Sequence, residues 1–275
     1  MTILITGSTG FIGSNLVEQL SKNHQVYGLT RDDKIDKKYI KADLLDYTQS
    51  TIAIFNKITK VDVIIHLASR ISLLGDIDNL SILSDNIQIS QNLFYLAKRL
   101  NVEKIINFSS NAVYPNIDGT YDENSVIDPS NNTDCIYGLS KFNSEILLKY
   151  WCQKEDISFS NLRISQVYGK GMNQNRIIPQ MEKELAENNT ITVYGDGIRM
   201  INLTSIEFLL EKVNLFVEKN LHGTYNIGEK NISIMQLAEE IISQYGNENS
   251  TIIKEARGNK SLFKMDSSKL NTIIS

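Results

Sequence analysis

The chain has 275 residues, 41% of them apolar and 22% charged, enough for one large α/β unit or two modest domains sharing a core. Its 28 Lys+Arg and 32 Asp+Glu leave a formal charge of −4 with no block of like charge, which speaks against a nucleic-acid or membrane-surface partner. Cys135 and Cys152 are too few for a disulfide framework, and His24, His66 and His222 lie too far apart for a metal site. The opening "MTILITGSTG" lacks the pattern of a signal peptide, and no apolar run reaches the roughly 18–20 residues that span a bilayer, so the expected location is a reducing cytosol.

In chain order, "TILIT" (2–6) predicts a strand, and 11–22 a helix with Phe11, Ile12, Leu16, Val17 and Leu20 on one side. "QVYGLT" (25–30) and "KYIKAD" (38–43) read as strands, followed by a helix over 48–58. The strand "VDVIIHLA" (61–68), a long helix over 80–100 and the strand "EKIINFSS" (103–110) come next. A loop of about 25 residues rich in Asn, Asp, Ser and Pro leads to a helix from 137 to about 153 and the strand "ISFSNLRI" (157–164). Continuously apolar strands alternating with helices predict a doubly wound, Rossmann-like parallel sheet covered on both faces.

After residue 165 the alternation loosens. Helices near 176–188, 205–219 and 233–245 are interleaved with short strands near 191–194, 223–227 and 251–253. The expected organisation is therefore a dinucleotide-binding domain over 1–165 and a smaller α/β substrate lobe over 166–275. That lobe would rest on the carboxyl edge of the sheet, where α/β folds bind ligands.

Two motifs carry chemistry. "ITGSTGFIGS" (5–14) sets Gly7, Gly10 and Gly13 between the first strand and the first helix. A tight turn, backbone close to a pyrophosphate and a free helix N-terminus meeting the anion all require small residues there. "CIYGLSK" (135–141) sets Tyr137 four residues before Lys141, one turn along the same helical face. A phenol of pKa about 10 is a poor acid–base catalyst at neutral pH, and a neighbouring ammonium is expected to lower it.

The spacing Gly-x-x-Gly-x-x-Gly, "HLAS" (66–69), "NFSSNAVYP" (107–115), Tyr-x-x-x-Lys, "LRISQVYGKG" (162–171), "ITVYGDG" (191–197) and "MDSSKL" (265–270) occur in that order. Nearly end to end, the chain resembles the extended short-chain dehydrogenase/reductase family, in the branch acting on nucleotide-linked sugars. The resemblance implies a catalytic set of Tyr137, Lys141 and Ser110, the serine four residues before Tyr114, with Ser109 as the alternative. It puts the dinucleotide on Gly7, Thr9, Gly10, Phe11, Ile12 and Gly13, with Asp43 and Leu44 at the adenine. Leu67, Ala68 and Ser69 would line the path to the nicotinamide ribose, which Lys141 can also hold.

At the end of the second strand, Thr30 stands where an NAD enzyme of this class carries an acid, and Arg31 follows. A guanidinium suits a 2′-phosphate, so NADP(H) is favoured; NAD(H) stays open through Asp32 or Asp33. The family's dehydratases place an Asp–Glu pair after the catalytic serine or threonine, whereas this chain has Asn111 and Ala112. The implied reaction is NADPH-dependent reduction of a nucleotide-linked 4-keto-6-deoxy sugar for surface polysaccharide. A nucleotide-sugar 4-epimerase is the alternative, and a cofactor-binding regulator without turnover a remoter one. Ser110, Asn111, Gln166, Arg199 and Arg257 are the substrate-binding candidates. Gln166 replaces the asparagine common at its position, and "RMINLTSIEFL" lacks the acids of the matching family segment. Family members usually continue beyond "DSSKLNTIIS", so the lobe is expected to be shortened. His66 is expected to pack against the glycine-rich turn, and Cys135 to be a loop thiol. Tyr150, Trp151, Ile146 and Leu147 widen the apolar face of the helix beginning at Tyr137, and in this family that helix and the 80–100 helix often form a dimer interface.

Overall fold

A computed structural model describes residues 1–33, 36–71, 77–258 and 260–274. The first half runs β1 (Thr2–Thr6), α1 (Phe11–Leu20), β2 (Gln25–Thr30), β3 (Tyr39–Lys41), α2 (Tyr47–Phe55), β4 (Val63–His66), α3 (Ser81–Arg99) and β5 (Lys104–Ser110). There follow β6 (Gly119–Tyr121), α4 (Cys135–Lys154), β7 (Ser158–Ile164), β8 (Gln166–Tyr168), α5 (Ile177–Asn188) and β9 (Thr190–Tyr194). The remainder is β10 (Met200–Ser205), α6 (Ile206–Glu218), β11 (Gly223–Ile227), β12 (Lys230–Ser233), α7 (Ile234–Tyr245), β13 (Thr251–Glu255), β14 (Phe263–Met265) and α8 (Ser268–Ile274).

Seven parallel strands form the main sheet in the order β11-β7-β5-β4-β1-β2-β3. The strands β1, β4 and β5 are buried along almost their whole length because both faces are covered. On one face α1 and α6 bury Leu16, Val17, Leu209, Val213 and Phe216. On the other, α2, α3 and α4 bury Ile54, Leu93, Phe94 and Leu148. The order of strands reverses between β1 and β4, so the ends of these two strands open a crevice where a doubly wound sheet takes its ligand.

Two placements differ from the sequence expectation. Residues 223–227, expected in the smaller lobe, form β11, the outermost strand of the main sheet beside β7. The helix expected with it, α6, packs on α1 in the main core. A strand's sheet is chosen by which neighbour its backbone meets, and local pattern does not record that. The lobe itself is built on α5, α7, β9, β10 and β12 around Leu185, Val193, Leu203, Ile232 and Leu237. Among the described residues, β12-β10-β8, β13-β9 and β14-β6 form three small sheets. One of them pairs β14 with β6, so the chain's last strand fastens the long loop between β5 and α4.

The α4 helix begins at Cys135, two residues before its expected start, so Cys135 is helical and Tyr137 lies inside the first turn. Its register against the rest is set by Gly138. A Cβ there would lie 2.2 Å from the Ala112 carbonyl oxygen and 2.9 Å from Pro129 Cβ, so the helix can seat against the segment after β5 only with glycine at this position. That contact brings Tyr137 to the end of the strand carrying Ser110.

Candidate active site

The crevice between β1 and β4 has a volume of ≈ 710 Å³. Gly7, Thr9 and Gly10 form its floor; Leu67, Ala68 and Ser69 form one wall; Arg31, Asp43 and Leu44 lie across from them. Phe11 and Ile12 follow in the first turn of α1, both half-buried against the core. Gly13 is buried below the turn, where a Cβ would stand 2.2 Å from the Gly7 carbonyl oxygen. At Gly10 a Cβ would meet only Gly7 O, at 3.4 Å, so the protein's own packing does not demand glycine there; the bare position leaves the crevice open at the start of α1. No side chain caps α1 and no acid lies in its first turn, so its leading N–H groups are available to an anion. These residues fit a dinucleotide's pyrophosphate.

Thr6 ties this floor to the wall. Its Oγ1 accepts from the Leu67 and Ala68 N–H groups at 3.1 and 3.0 Å, which leaves its own proton for His66 Nδ1 at 2.8 Å. His66 is therefore neutral with its proton on Nε2, and burial together with the Lys141 charge holds its pKa down to about 3. Its place beside Thr6, next to the glycine-rich turn, is the one the sequence implied.

At the crevice end, Tyr137 and Lys141 stand side by side on α4, the ammonium 5.7 Å from the centre of the phenol ring. Lys141 is buried and donates to the Phe108 carbonyl at 2.9 Å. Burial lowers its pKa to about 8, against the pull of Glu145 one turn further on. The expected lowering of the phenol is not what this protein shows: burial first, then Asp134, pushes Tyr137 up to about 12, while Ser69 and Arg176 work in the opposite direction. A half-buried ring loses hydration of its charged form, and the lysine spends a bond on backbone rather than on the phenol. Tyr137 is thus firmly an acid in its protonated form.

Ser110 ends β5, half-buried, and its Oγ accepts from the Ala112 N–H at 3.1 Å. The alternative, Ser109, points inward and donates to Glu145 Oε1, away from the crevice. Asn111 lies beside Ser110, their side-chain oxygens 3.4 Å apart. The candidate substrate residues do not all meet. Arg199 lines a second pocket of ≈ 560 Å³ between α5, β9 and the start of α7, and Arg257 stacks on Tyr194 of the same pocket, its guanidinium 5.2 Å from the ring centre. Gln166 lies apart from that pocket, on β8 paired to Leu203.

Three residues that sequence reasoning did not single out also shape the site. Asn86 of α3 accepts from the Arg70 N–H at 2.7 Å and donates to the Arg70 carbonyl and to Ser140 Oγ, both at 2.9 Å. Ser140 in turn donates to the Tyr137 carbonyl at 2.8 Å. One turn along, Ser90 and Ser144 repeat the contact at 2.8 Å, so matched polar pairs four residues apart on two helices were the available signal. Arg176, just before α5, acts on Tyr137 and adjoins Ile177 of the second pocket.

Residues 3–228 match the family described as the NAD dependent epimerase/dehydratase family. The chain belongs to that family. It is an enzyme of the extended short-chain dehydrogenase/reductase type, as its motifs implied. A dTDP-D-glucose 4,6-dehydratase of Mus musculus is 25% identical over 90% of this chain and 74% of its own length. A putative UDP-glucose 4-epimerase of Methanocaldococcus jannaschii is 28% identical, covering 93% of this chain and 86% of its own. Among solved structures, a UDP-N-acetylglucosamine 4-epimerase from Bacillus cereus superposes with a TM-score of 0.85 at 24% identity, over 100% of this chain and 92% of that one, which establishes the shared fold. Among the described residues no helix is long and apolar enough to cross a membrane.

Proposed function

We propose that this enzyme reduces the 4-keto group of a nucleotide-linked 4-keto-6-deoxy sugar with NADPH. The observation that carries the reading is the Tyr137 phenol beside the buried Lys141 amine, 5.7 Å from the ring centre, on the helix that seats against the segment following Ser110. The bound nicotinamide supplies the hydride. Ser110 holds the carbonyl oxygen, Tyr137 gives its proton to the oxygen as it becomes an alkoxide, and Lys141 offsets the phenolate left behind. Arg199, with Arg257 stacked on Tyr194, suits the nucleotide diphosphate, and Arg176, next to Ile177 of that pocket, acts electrostatically on the phenol. Asn111 and Ala112 offer no acid or base for eliminating water, which favours reduction over dehydration.

NADPH is favoured over NADH by the end of β2. Arg31 lines the crevice and forms no ion pair among the described residues. Asp33 is engaged by Lys41 at 2.8 Å, and the Asp32 carboxylate accepts from Thr30 Oγ1 at 3.4 Å, so each acid already has a partner. Arg31→Asp is expected to weaken NADPH binding by about 10–100-fold, the worth of one charge-assisted contact, while leaving NADH binding little changed. Titration of both nucleotides by fluorescence checks it. The 4-epimerase reading is supported by the relatives that carry that name.

The deciding experiment mixes the protein with NADPH and a panel of 4-keto-6-deoxy nucleotide sugars and follows the loss of reduced nucleotide. Interconversion of C4 epimers without net nucleotide consumption would instead establish the epimerase. A homodimer is part of the same proposal: Tyr95 on α3 and Ile146 and Tyr150 on α4 are about half exposed on adjacent helices. Ile146→Glu combined with Tyr150→Glu is expected to give a monomer by light scattering, and the unaltered chain a dimer.

A further inference from the structure

Besides its glycine floor, the crevice carries an apolar lining of Leu29, Ala42, Leu44, Leu67 and Ile89, suited to a flat aromatic ring. Two of its walls come from segments far apart in the chain: the turn that carries Asp43 and Leu44, and the helix α3. On α3, Asp85, Ile89 and Asn92 fall at i, i+4 and i+7, along one face of the helix. Asp85 and Ile89 line the crevice, and Asp85 pairs with Arg70 beside it at 2.8 Å. Asn92, one turn further along, is buried.

A buried amide costs free energy unless its polar atoms are paired. Asn92 Nδ2 donates to the Leu44 carbonyl at 2.6 Å, and Gln88 Nε2 donates to Asn92 Oδ1 at 3.0 Å, which fixes the end of the amide that faces the turn. The Asp43 carbonyl accepts from the Ser50 hydroxyl of α2 at 2.5 Å. Two successive carbonyls of the turn are thus gripped by two helices. Those helices themselves meet where Tyr47 packs edge-on to Tyr95, ring centres 5.9 Å apart. Within the turn, Asp43 Oδ1 accepts from the Leu45 N–H at 2.9 Å, and its other oxygen takes no bond among the described residues. Asp43 lines the crevice, so that oxygen is available to a donor bound there.

We propose that Asn92 is a positioning residue for cofactor recognition: by holding the Leu44 carbonyl it sets the distance from the Asp43–Leu44 turn to α3, so that the crevice accepts a purine whose amino group reaches Asp43. The base lies between Leu44 and Ile89, and the Asn92 amide acts on it only through the turn. Loss of the donor leaves the Leu44 carbonyl unpaired and lets the turn drift from α3. The amino group then loses its acceptor while the apolar walls still hold the ring. The inference rests on the placing of adenine at Asp43 and Leu44 that the motifs imply.

Fluorescence titration of wild type, Asn92→Leu and Asn92→Asp tests it, with NADPH and its hypoxanthine analogue, in which a carbonyl replaces the amino group of the base. NADH and its own analogue serve the same purpose. Asn92→Asp keeps the size of the side chain should the leucine variant fail to fold. Wild type is expected to bind NADPH roughly tenfold or more tighter than the analogue, the worth of a hydrogen bond to a carboxylate. Each variant should bind NADPH roughly two- to tenfold more weakly and the analogue nearly as wild type does, so that the preference narrows. Equal losses for both nucleotides would make Asn92 a structural residue only and end the proposal, as would an unchanged affinity for NADPH. A wild type that binds both nucleotides alike would instead remove the adenine from Asp43, an outcome seen before any variant is made.

Discussion

Tyr137→Phe is expected to lower turnover by about 10²–10⁴-fold, the usual contribution of a positioned acid, with dinucleotide affinity nearly unchanged. The ring would keep its packing and lose only its hydroxyl. Steady-state kinetics and a binding titration on the same preparation separate the two effects. The partner lysine adds a pH signature. Lys141 is held at about 8, so turnover should decline as pH rises past that value and the ammonium loses its charge. Lys141→Met should be slow throughout and lack that limb. Stability moves the other way: the unfolded chain keeps this proton up to the ordinary 10.5, while the folded protein releases it near 8. Between those values the unfolded state binds more protons, so Lys141 makes stability rise with pH over that window, and Lys141→Met should remove the rise.

Arg163→Met is expected to destabilise the fold by about 3–5 kcal/mol, as removal of one member of a buried ion pair does. Arg163 of β7 and Glu145 of α4 are both about 5% exposed and meet at 2.8 Å. Burial works against the Arg163 charge, and the bonds from Glu145 more than offset it, holding the pKa above the ordinary guanidinium range. The same guanidinium donates to Tyr114 at 2.8 Å, and Tyr114 donates to Asn226 of β11. One deletion would leave a carboxylate without its countercharge beneath the catalytic helix. Adding Glu145→Leu should recover much of the loss, because replacing both charges removes the unpaired buried ion and leaves only the Ser109 hydroxyl to find another acceptor. Urea unfolding midpoints of the single and double variants provide the check.

The phosphate turn and the Tyr137–Lys141 pair are legible in the chain itself because each is a local pattern. Glycines at fixed spacing between a strand and a helix, and two residues one helical turn apart, carry their geometry within a dozen positions. Ser110 is legible by its distance from Tyr114, and the fold turns the rival Ser109 inward to Glu145. The phenol's pKa moves in the opposite direction from the one its lysine neighbour implies, since the outcome depends on how much water the folded chain removes from the ring and on Asp134. Asn86 and Ser140, 54 positions apart, meet only when α3 lies along α4.

The amino-acid sequence by itself determined the doubly wound class, the crevice floor and the pairing of Tyr137 with Lys141 on one helical face, because periodicity and short spacings are written into neighbouring residues. Tertiary structure alone decided that β11 joins the main sheet, that Arg199 and Arg257 flank one pocket while Gln166 does not, and that Asn92 reaches the Leu44 carbonyl. Those contacts join segments tens of residues apart, and burial and electrostatic fields exist only once the segments have closed on one another.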